Sequence, residues 1–459
     1  MNKNKKKVGL EEMNLFFVSL GCDKNLVDSE YMIGLSKQAG HNIVSQEEEA
    51  DVIVINTCCF IHDAKEESIE TILEMAAYKE DRCKLLVVTG CLAQRYHEEI
   101  REELPEVDII LGSANYDDIV TAIEQAMEEK KVTMIKELTY LPDMSQVDRV
   151  ITTGNHLAYL KIAEGCNKRC TYCIIPSIRG NYRSVPMEHI IREANKLAAD
   201  GIRELVLVAQ ETTVYGMDLY GKKSLPELLR RLCEIEGIEW IRILYCYPEE
   251  ITDELIEVMA TEDKICKYLD MPIQHSEDRV LKLMGRRTNH AELVETINRL
   301  RERIPDITLR TTLISGFPGE TEEEHEAMAA FVDEMEFDRL GVFTYSPEEG
   351  TKAAAMDEQI DEDVKIRRRD EIMELQQEIS YDKNQQMVGQ VLKVCVEGYL
   401  FDEDIYVGRS EKDAPKVDGC VFVRSPEEII SGTFVHVLIT EANEYDLIGD
   451  VVYGDEFTK

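Results

Sequence analysis

Three cysteines in the run Cys166-Asn-Lys-Arg-Cys170-Thr-Tyr-Cys173 carry the most specific chemistry in this chain. The C-x-x-x-C-x-x-C spacing follows a short apolar run at 157–162, which reads as a strand. Thiolates so spaced hold iron–sulfur clusters. A 4Fe–4S cube has four irons, and this triplet supplies three sulfurs, so one iron stays open to a ligand that is not protein. The competing assignment is zinc, which usually takes a closed set of four Cys or His ligands. The nearest histidines, His156 and His189, lie at no zinc-ligand spacing, and the cluster is the preferred reading.

A second constellation emerges from the elements that must position it. Apolar runs at 14–20 (NLFFVSL), 51–57 (DVIVINT) and 84–89 (KLLVVT), with a shorter one at 107–111, alternate with helical patterns at 28–38 and 64–78. That alternation predicts an open parallel α/β sheet. Cys22, Cys58 and Cys91 each stand just past the carboxyl end of one of the three longer runs. In such a sheet those ends share one edge, where ligands bind. Three cysteines remote in sequence are therefore expected to converge as a second three-thiolate site; the competing reading is three buried cysteines with no common role. Cys59, beside Cys58, is an alternative ligand.

The remaining chain divides by pattern. A basic tail covers residues 1–13, the first α/β domain 14–135, and a connector without periodicity 136–153. Residues 154–385 hold six strand-like runs, at 157–162, 204–209, 241–245, 268–273, 308–315 and 340–344, most separated by helical patterns. Six units predict a partial (β/α)6 barrel, with chemistry at the strand C-terminal ends. A charged helix is expected over 361–383. Residues 386–454 change to short β runs with Gly and Asp turns, the mark of a small β-barrel.

Composition sets outer bounds. At 459 residues the chain needs two or three domains. No apolar run approaches the ~20 residues that cross a bilayer, and the basic N-terminus leads into no apolar signal core. Thirteen cysteines in such a chain fit a reducing cytoplasm. The net charge of −39 disfavours nucleic-acid phosphate and favours a basic partner. From residue 385 onward there are 6 Lys or Arg against 15 Asp or Glu, the wrong balance for a nucleic-acid reader.

The motifs SLGCDKNLVDSE (19–30), INTCCFIHDAKEES (55–68), VVTGCLAQRY (87–96), AEGCNKRCTYCIIPSIRG (163–180), YLDMPIQH (268–275), LRTTLISGFPGET (309–321) and GVFTYSPEEGT (341–351) resemble those of the radical S-adenosylmethionine (SAM) methylthiotransferases. The resemblance spans 14–453. Within that family, LGCDKNLVDSE, FTYSPEEGT and GRSEKDAPKVDG look like the RimO-type branch, which modifies an aspartate on the small-subunit ribosomal protein of the decoding centre. The other branch modifies tRNA adenosine; a non-catalytic iron–sulfur electron carrier is the alternative from another class. Asp23 departs from the proline, and Cys59 from the glycine, usual in the branch.

The resemblance implies two 4Fe–4S clusters, one on Cys166, Cys170 and Cys173 with SAM on its open iron, the other on Cys22, Cys58 and Cys91 delivering sulfur. It implies reductive cleavage of SAM, hydrogen abstraction from the aspartate β-carbon, a second SAM as methyl donor, and a C-terminal module of the TRAM type that docks substrate. Tyr172, Gln210, Glu211, Arg310 and Gly316 are the expected SAM contacts; no further catalytic side chain is expected. His62 and His275 are read as structural, and Cys83, Cys233, Cys246, Cys266, Cys395 and Cys420 as small packed hydrophobes. The partners expected are a basic ribosomal protein and an external electron donor, without membrane or direct nucleic-acid binding, for a cytoplasmic monomer.

Overall fold

The computed structural model describes residues 12–453; the basic tail at 1–11 lies outside them. The chain forms two compact units, one of residues 12–152 with 164–167 and 174–183, the other of the remainder.

The first unit is built on six parallel strands in the order β2-β1-β3-β4-β5-β6. These are β1 (Asn14–Ser19), β2 (Asn42–Ile43), β3 (Val52–Thr57), β4 (Leu85–Gly90), β5 (Ile109–Leu111) and β6 (Val132–Met134). The central strands β3 and β4 are buried along their whole length, as their unbroken apolar sequences demand of a sheet covered on both faces. The order reverses between β1 and β3, the place in a doubly wound sheet where strand ends open a crevice. The two outermost strands, β2 and β6, were not legible as apolar runs.

In the second unit, β7 (Leu157–Lys161) leads into the cysteine loop, which the two-residue strands β8 (Ala163–Glu164) and β9 (Arg183–Ser184) bracket in sequence. Five more strands follow: β10 (Glu204–Val208), β11 (Trp240–Ile243), β12 (Ile265–Asp270), β13 (Thr308–Ser315) and β14 (Arg339–Thr344). With β7 they form one parallel sheet in the order β14-β13-β12-β11-β10-β7, the array expected of a six-unit partial barrel. The fourth run is displaced: β12 begins at Ile265 and ends at Asp270, not over 268–273. Pro272 has no N–H to give a ladder, so the pairing ends ahead of it. The charged helix is present as Glu362–Gln385.

The C-terminal module of this unit is a closed barrel of β15 (Val391–Leu400), β16 (Ile405–Ser410), β17 (Val421–Arg424), β18 (Phe434–Ala442) and β19 (Leu447–Val451) around Val394, Val421, Val423, Val437, Ile439 and Leu447. Strand β16 and the β16–β17 loop engage the sheet of this unit ionically. Arg409 and Arg242 share Glu204, at 2.6 and 2.9 Å. Asp413 takes Arg339 at 2.6 Å, and Asp418 accepts from Tyr268 at 2.7 Å. Trp240, at the start of β11, meets Phe434 edge to face at 4.7 Å. Of the cysteines read as packed hydrophobes, Cys83, Cys246, Cys266 and Cys395 are buried, whereas Cys233 and Cys420 are only half-buried. Among the described residues no helix is long and apolar enough to cross a membrane.

Candidate functional site: two cysteine centres

Cys22, Cys58 and Cys91 follow β1, β3 and β4, three neighbouring strands of one sheet. Their thiols gather at its C-terminal edge. Cys22 occupies the N-cap of the helix Asp23–Gln38, and Cys91 opens the helix Cys91–Arg95; helix N-termini favour a thiolate. Gly21 turns at φ +78°, and a Cβ there would lie 2.8 Å from the Cys58 sulfur. The site therefore requires glycine beside Cys22. Ser68 clasps Cys58 from behind, accepting from its N–H at 3.0 Å and donating to its carbonyl at 2.9 Å. Cys59 is fully buried in the apolar cluster that also holds Ile53, Leu86 and Cys91, whereas the Cys58 sulfur stands against Gly21, beside Cys22.

Electrostatics of this centre are unusual. Burial pushes the Cys91 and Cys58 thiols up, while the Arg179 guanidinium draws both back toward ionisation. Arg179 Nε donates to Cys91 Sγ at 3.2 Å. Nothing in the sequence pattern had singled out Arg179; the signal was its place in the Pro-Ser-Ile-Arg-Gly run after Cys173.

The donor set also discriminates between metals. Tetrahedral zinc thiolates lie about 3.8 Å apart, given Zn–S bonds near 2.3 Å. Among the described residues, groups of three or more Cys, His, Asp or Glu with ligand atoms within 4.8 Å reduce to the exposed His62, Asp63 and Glu66. The sulfurs of Cys22, Cys58 and Cys91 do not form such a group. Three cysteines with one position left over fit a 4Fe–4S cluster and not a closed zinc site.

In the second unit the loop bearing Cys170 and Cys173 is tied to segments that follow four strands of the sheet. Cys173 N–H closes a turn on the Cys170 carbonyl at 3.0 Å. Thr171 donates to Leu283 O, its N–H reaches Met284 O, and its carbonyl accepts from Ala353 N–H. Lys168 is buried among Glu211 (3.7 Å), Glu249 (3.3 Å) and Glu250. Cys170 Sγ lies 3.9 Å from the Tyr247 hydroxyl, and Arg286 stacks on that ring at 4.3 Å. Tyr247 and Arg286 belong to no spacing motif, and Lys168, although inside the cysteine motif, carries no pattern of its own that marks it. Cys166 reaches this loop by sequence, its N–H donating to Gly180 O at 3.1 Å.

The expected SAM contacts separate on inspection. Tyr172 lies edge-on to Phe317 at 6.5 Å, beside the cysteine loop. Gln210 and Glu211 follow β10 at its C-terminal end. Burial raises the Glu211 carboxyl to about 7, against the pull of Lys168. Gly316 turns at φ +71°, and a Cβ would meet Lys365 Cγ at 2.3 Å; the helix Glu362–Gln385 demands this glycine. Arg310 is the third residue of β13, and its guanidinium pairs with Asp270 at 2.8 Å and Asp418 at 3.4 Å. His275 is fully buried and accepts from Glu277 N–H at 3.0 Å; burial lowers it to about 3, which suits a structural acceptor. His62 is exposed.

Comparisons with known proteins agree with this division. Residues 14–112 match Uncharacterized protein family UPF0004, residues 160–332 the Radical SAM superfamily, and residues 388–452 the TRAM domain. A relative from Lachnoclostridium phytofermentans, "Ribosomal protein uS12 methylthiotransferase RimO", is 60% identical over 95% of this chain and 99% of its own. A namesake from Thermoanaerobacter sp. is 50% identical over 95% of this chain and 99% of its own. Among solved structures, the radical SAM methyltransferase TsrM from Kitasatospora setae, with cobalamin and a [4Fe-4S] cluster bound, superposes with a TM-score of 0.54. It covers 83% of this chain and 81% of its own at 13% identity, a likeness of fold alone.

Proposed function

The chain belongs to the RimO family of ribosomal protein uS12 methylthiotransferases within the radical SAM superfamily, and from that premise we propose that it attaches a methylthio group to the β-carbon of an aspartate on uS12. The observation that carries the reading is 60% identity across essentially the whole of a uS12 methylthiotransferase. The enzyme uses SAM and 4Fe–4S clusters. Bound there, they supply hydrogen abstraction, sulfur and methyl, the chemistry that amino acids alone lack.

The chain's own residues hold and orient. We assign Cys166, Cys170 and Cys173 to the SAM-binding cluster and Cys22, Cys58 and Cys91 to the second. Tyr172 is assigned to the face of the adenine, and Gln210 and Glu211 to the SAM amino group. Glu211 suits that role, because an arriving ammonium favours its ionised form, which burial otherwise opposes. Gly316 can offer only its backbone. Arg310, which pairs with Asp270 and Asp418, is assigned to the same set.

The barrel module is assigned to docking. At the tip of its β15–β16 hairpin, Phe401 is 87% exposed and packs edge-on to Tyr399, whose ring meets Tyr406 at a tilt of 54°. Asp402, Glu403 and Asp404 follow directly. An aromatic anchor rimmed by carboxylates suits a basic protein and repels nucleic acid. An external electron donor, a monomeric enzyme and the cytoplasm complete the reading.

The test is anaerobic reaction of the reconstituted full chain with SAM, a reductant and either uS12 or tRNA. Methylthio-aspartate in uS12, accompanied by SAM cleavage, is the expected result. Modification of tRNA adenosine, or no SAM cleavage with both clusters loaded, would overturn it.

A further inference from the structure

Arg179 is buried, 2% exposed, and all of its guanidinium is committed. Nε points at Cys91 Sγ, 3.2 Å away. Nη1 donates to Asp28 at 2.8 Å and to Glu164 at 3.3 Å, and Nη2 donates to Asn25 Oδ1. Asn25 is itself fixed, its amide donating to Leu20 O at 3.1 Å and Thr57 O at 3.0 Å, the residues that lead to Cys22 and Cys58. The planar fork thus has one orientation, with its Nε edge turned to a sulfur. A lysine, a point charge on a flexible stem, could not reproduce it.

A site of three thiolates in a buried setting concentrates negative charge, and Asp28 and Glu164 add to it. Arg179 is the cation that the described residues set against Cys91. Net charge and hydrogen bonds to the ligand sulfurs are two of the quantities that fix an iron–sulfur potential, and partners of the ligands orient and tune a metal site. We propose that Arg179 is a positioning residue of the N-terminal centre, holding the Cys91 sulfur as a ligand and raising the reduction potential of the cluster bound there. This rests on the assignment of Cys22, Cys58 and Cys91 as cluster ligands. The bland alternative is an ion-pair bracket for Asp28 and Glu164 with no electronic consequence.

The experiment uses the full chain with Cys166, Cys170 and Cys173 replaced by alanine, so that only the N-terminal centre can load. Iron content and a redox titration followed by electron paramagnetic resonance are read for this parent, Arg179→Gln, Arg179→Lys and Asp28→Asn. In Arg179→Gln the ratio of reduced to oxidised cluster at a fixed solution potential should fall about tenfold, the scale of one lost charge-assisted hydrogen bond. Arg179→Lys, which keeps the charge and loses the fork, should fall between. Asp28→Asn removes an opposing anion and should shift the ratio the other way, a sign test that stands even if Arg179→Gln does not retain its cluster. Loaded variants that titrate with the parent would overturn the proposal and leave the ligand assignment intact. A parent that binds no cluster would overturn the ligand assignment, and the proposal with it.

Discussion

Cys58 and Cys59 differ by one position and by everything that matters chemically. Sequence spacing leaves the choice between them open, because both stand just past a strand end. Their surroundings differ: the Cys58 sulfur stands against Gly21, beside Cys22, and Cys59 is fully buried in the apolar cluster of Ile53, Leu86 and Cys91; Cys58 is the ligand proposed. Cys58→Ala is expected to remove one cluster, so that iron analysis of the reconstituted protein falls by about half, since each centre holds one cube of the same type. Cys59→Ala is expected to keep its iron and lose about 1–2 kcal/mol of stability as a small core truncation. Equal iron loss from both variants would contradict the geometry. Arg179 shows the limit of sequence reading at this scale. Its partner Cys91 is 88 residues distant, and no local pattern marks a pairing that the fold creates.

At the scale of elements, the apolar runs made the central strands legible, and with them the convergence of three strand-end cysteines. The edge strands β2 and β6, two and three residues long, carried no such signal, since a short edge buries little and needs no apolar run. The cysteine edge imposes its own backbone demands. Gly90 ends β4 at φ +92°, and a Cβ there would meet Asn56 Oδ1 at 2.3 Å and Thr57 O at 2.5 Å. Those atoms belong to the end of β3, just before Cys58. Gly90→Ala should therefore destabilise the protein by about 2 kcal/mol or more through strain and backbone displacement. It should also lower iron in the N-terminal centre, while Gly40→Ala, at φ +94° with nothing within 4 Å, should leave the iron unchanged. Denaturant titration with iron analysis checks both.

Across the whole molecule, a net charge of −39 tells nothing of the layer joining the C-terminal barrel to the sheet of its own unit, where Glu204, Arg242 and Arg409 are buried together. Alternation and composition cannot reveal a charge buried by a partner more than a hundred residues away. The Arg409 and Arg242 guanidiniums outweigh burial and hold the Glu204 carboxyl down at about 2. A carboxyl depressed from its ordinary 4.5 contributes stability that is complete above pH 4.5 and is lost as pH falls toward 2. The shift corresponds to about 3 kcal/mol. Glu204→Gln should flatten the acid limb of the urea-unfolding profile over that window. At neutral pH it should cost about 3–5 kcal/mol, because two buried arginines lose their common partner. An unchanged acid limb would show that the barrel is not held this way.

The central claim, that this two-centre enzyme acts on a ribosomal protein, is met most directly by mass spectrometry of uS12 and of tRNA from cells with and without the chain. The methylthio mass is expected to disappear from an aspartate-containing uS12 peptide when the chain is absent, with tRNA unaltered. Loss of the methylthio mass from tRNA adenosine, with uS12 unchanged, would contradict it.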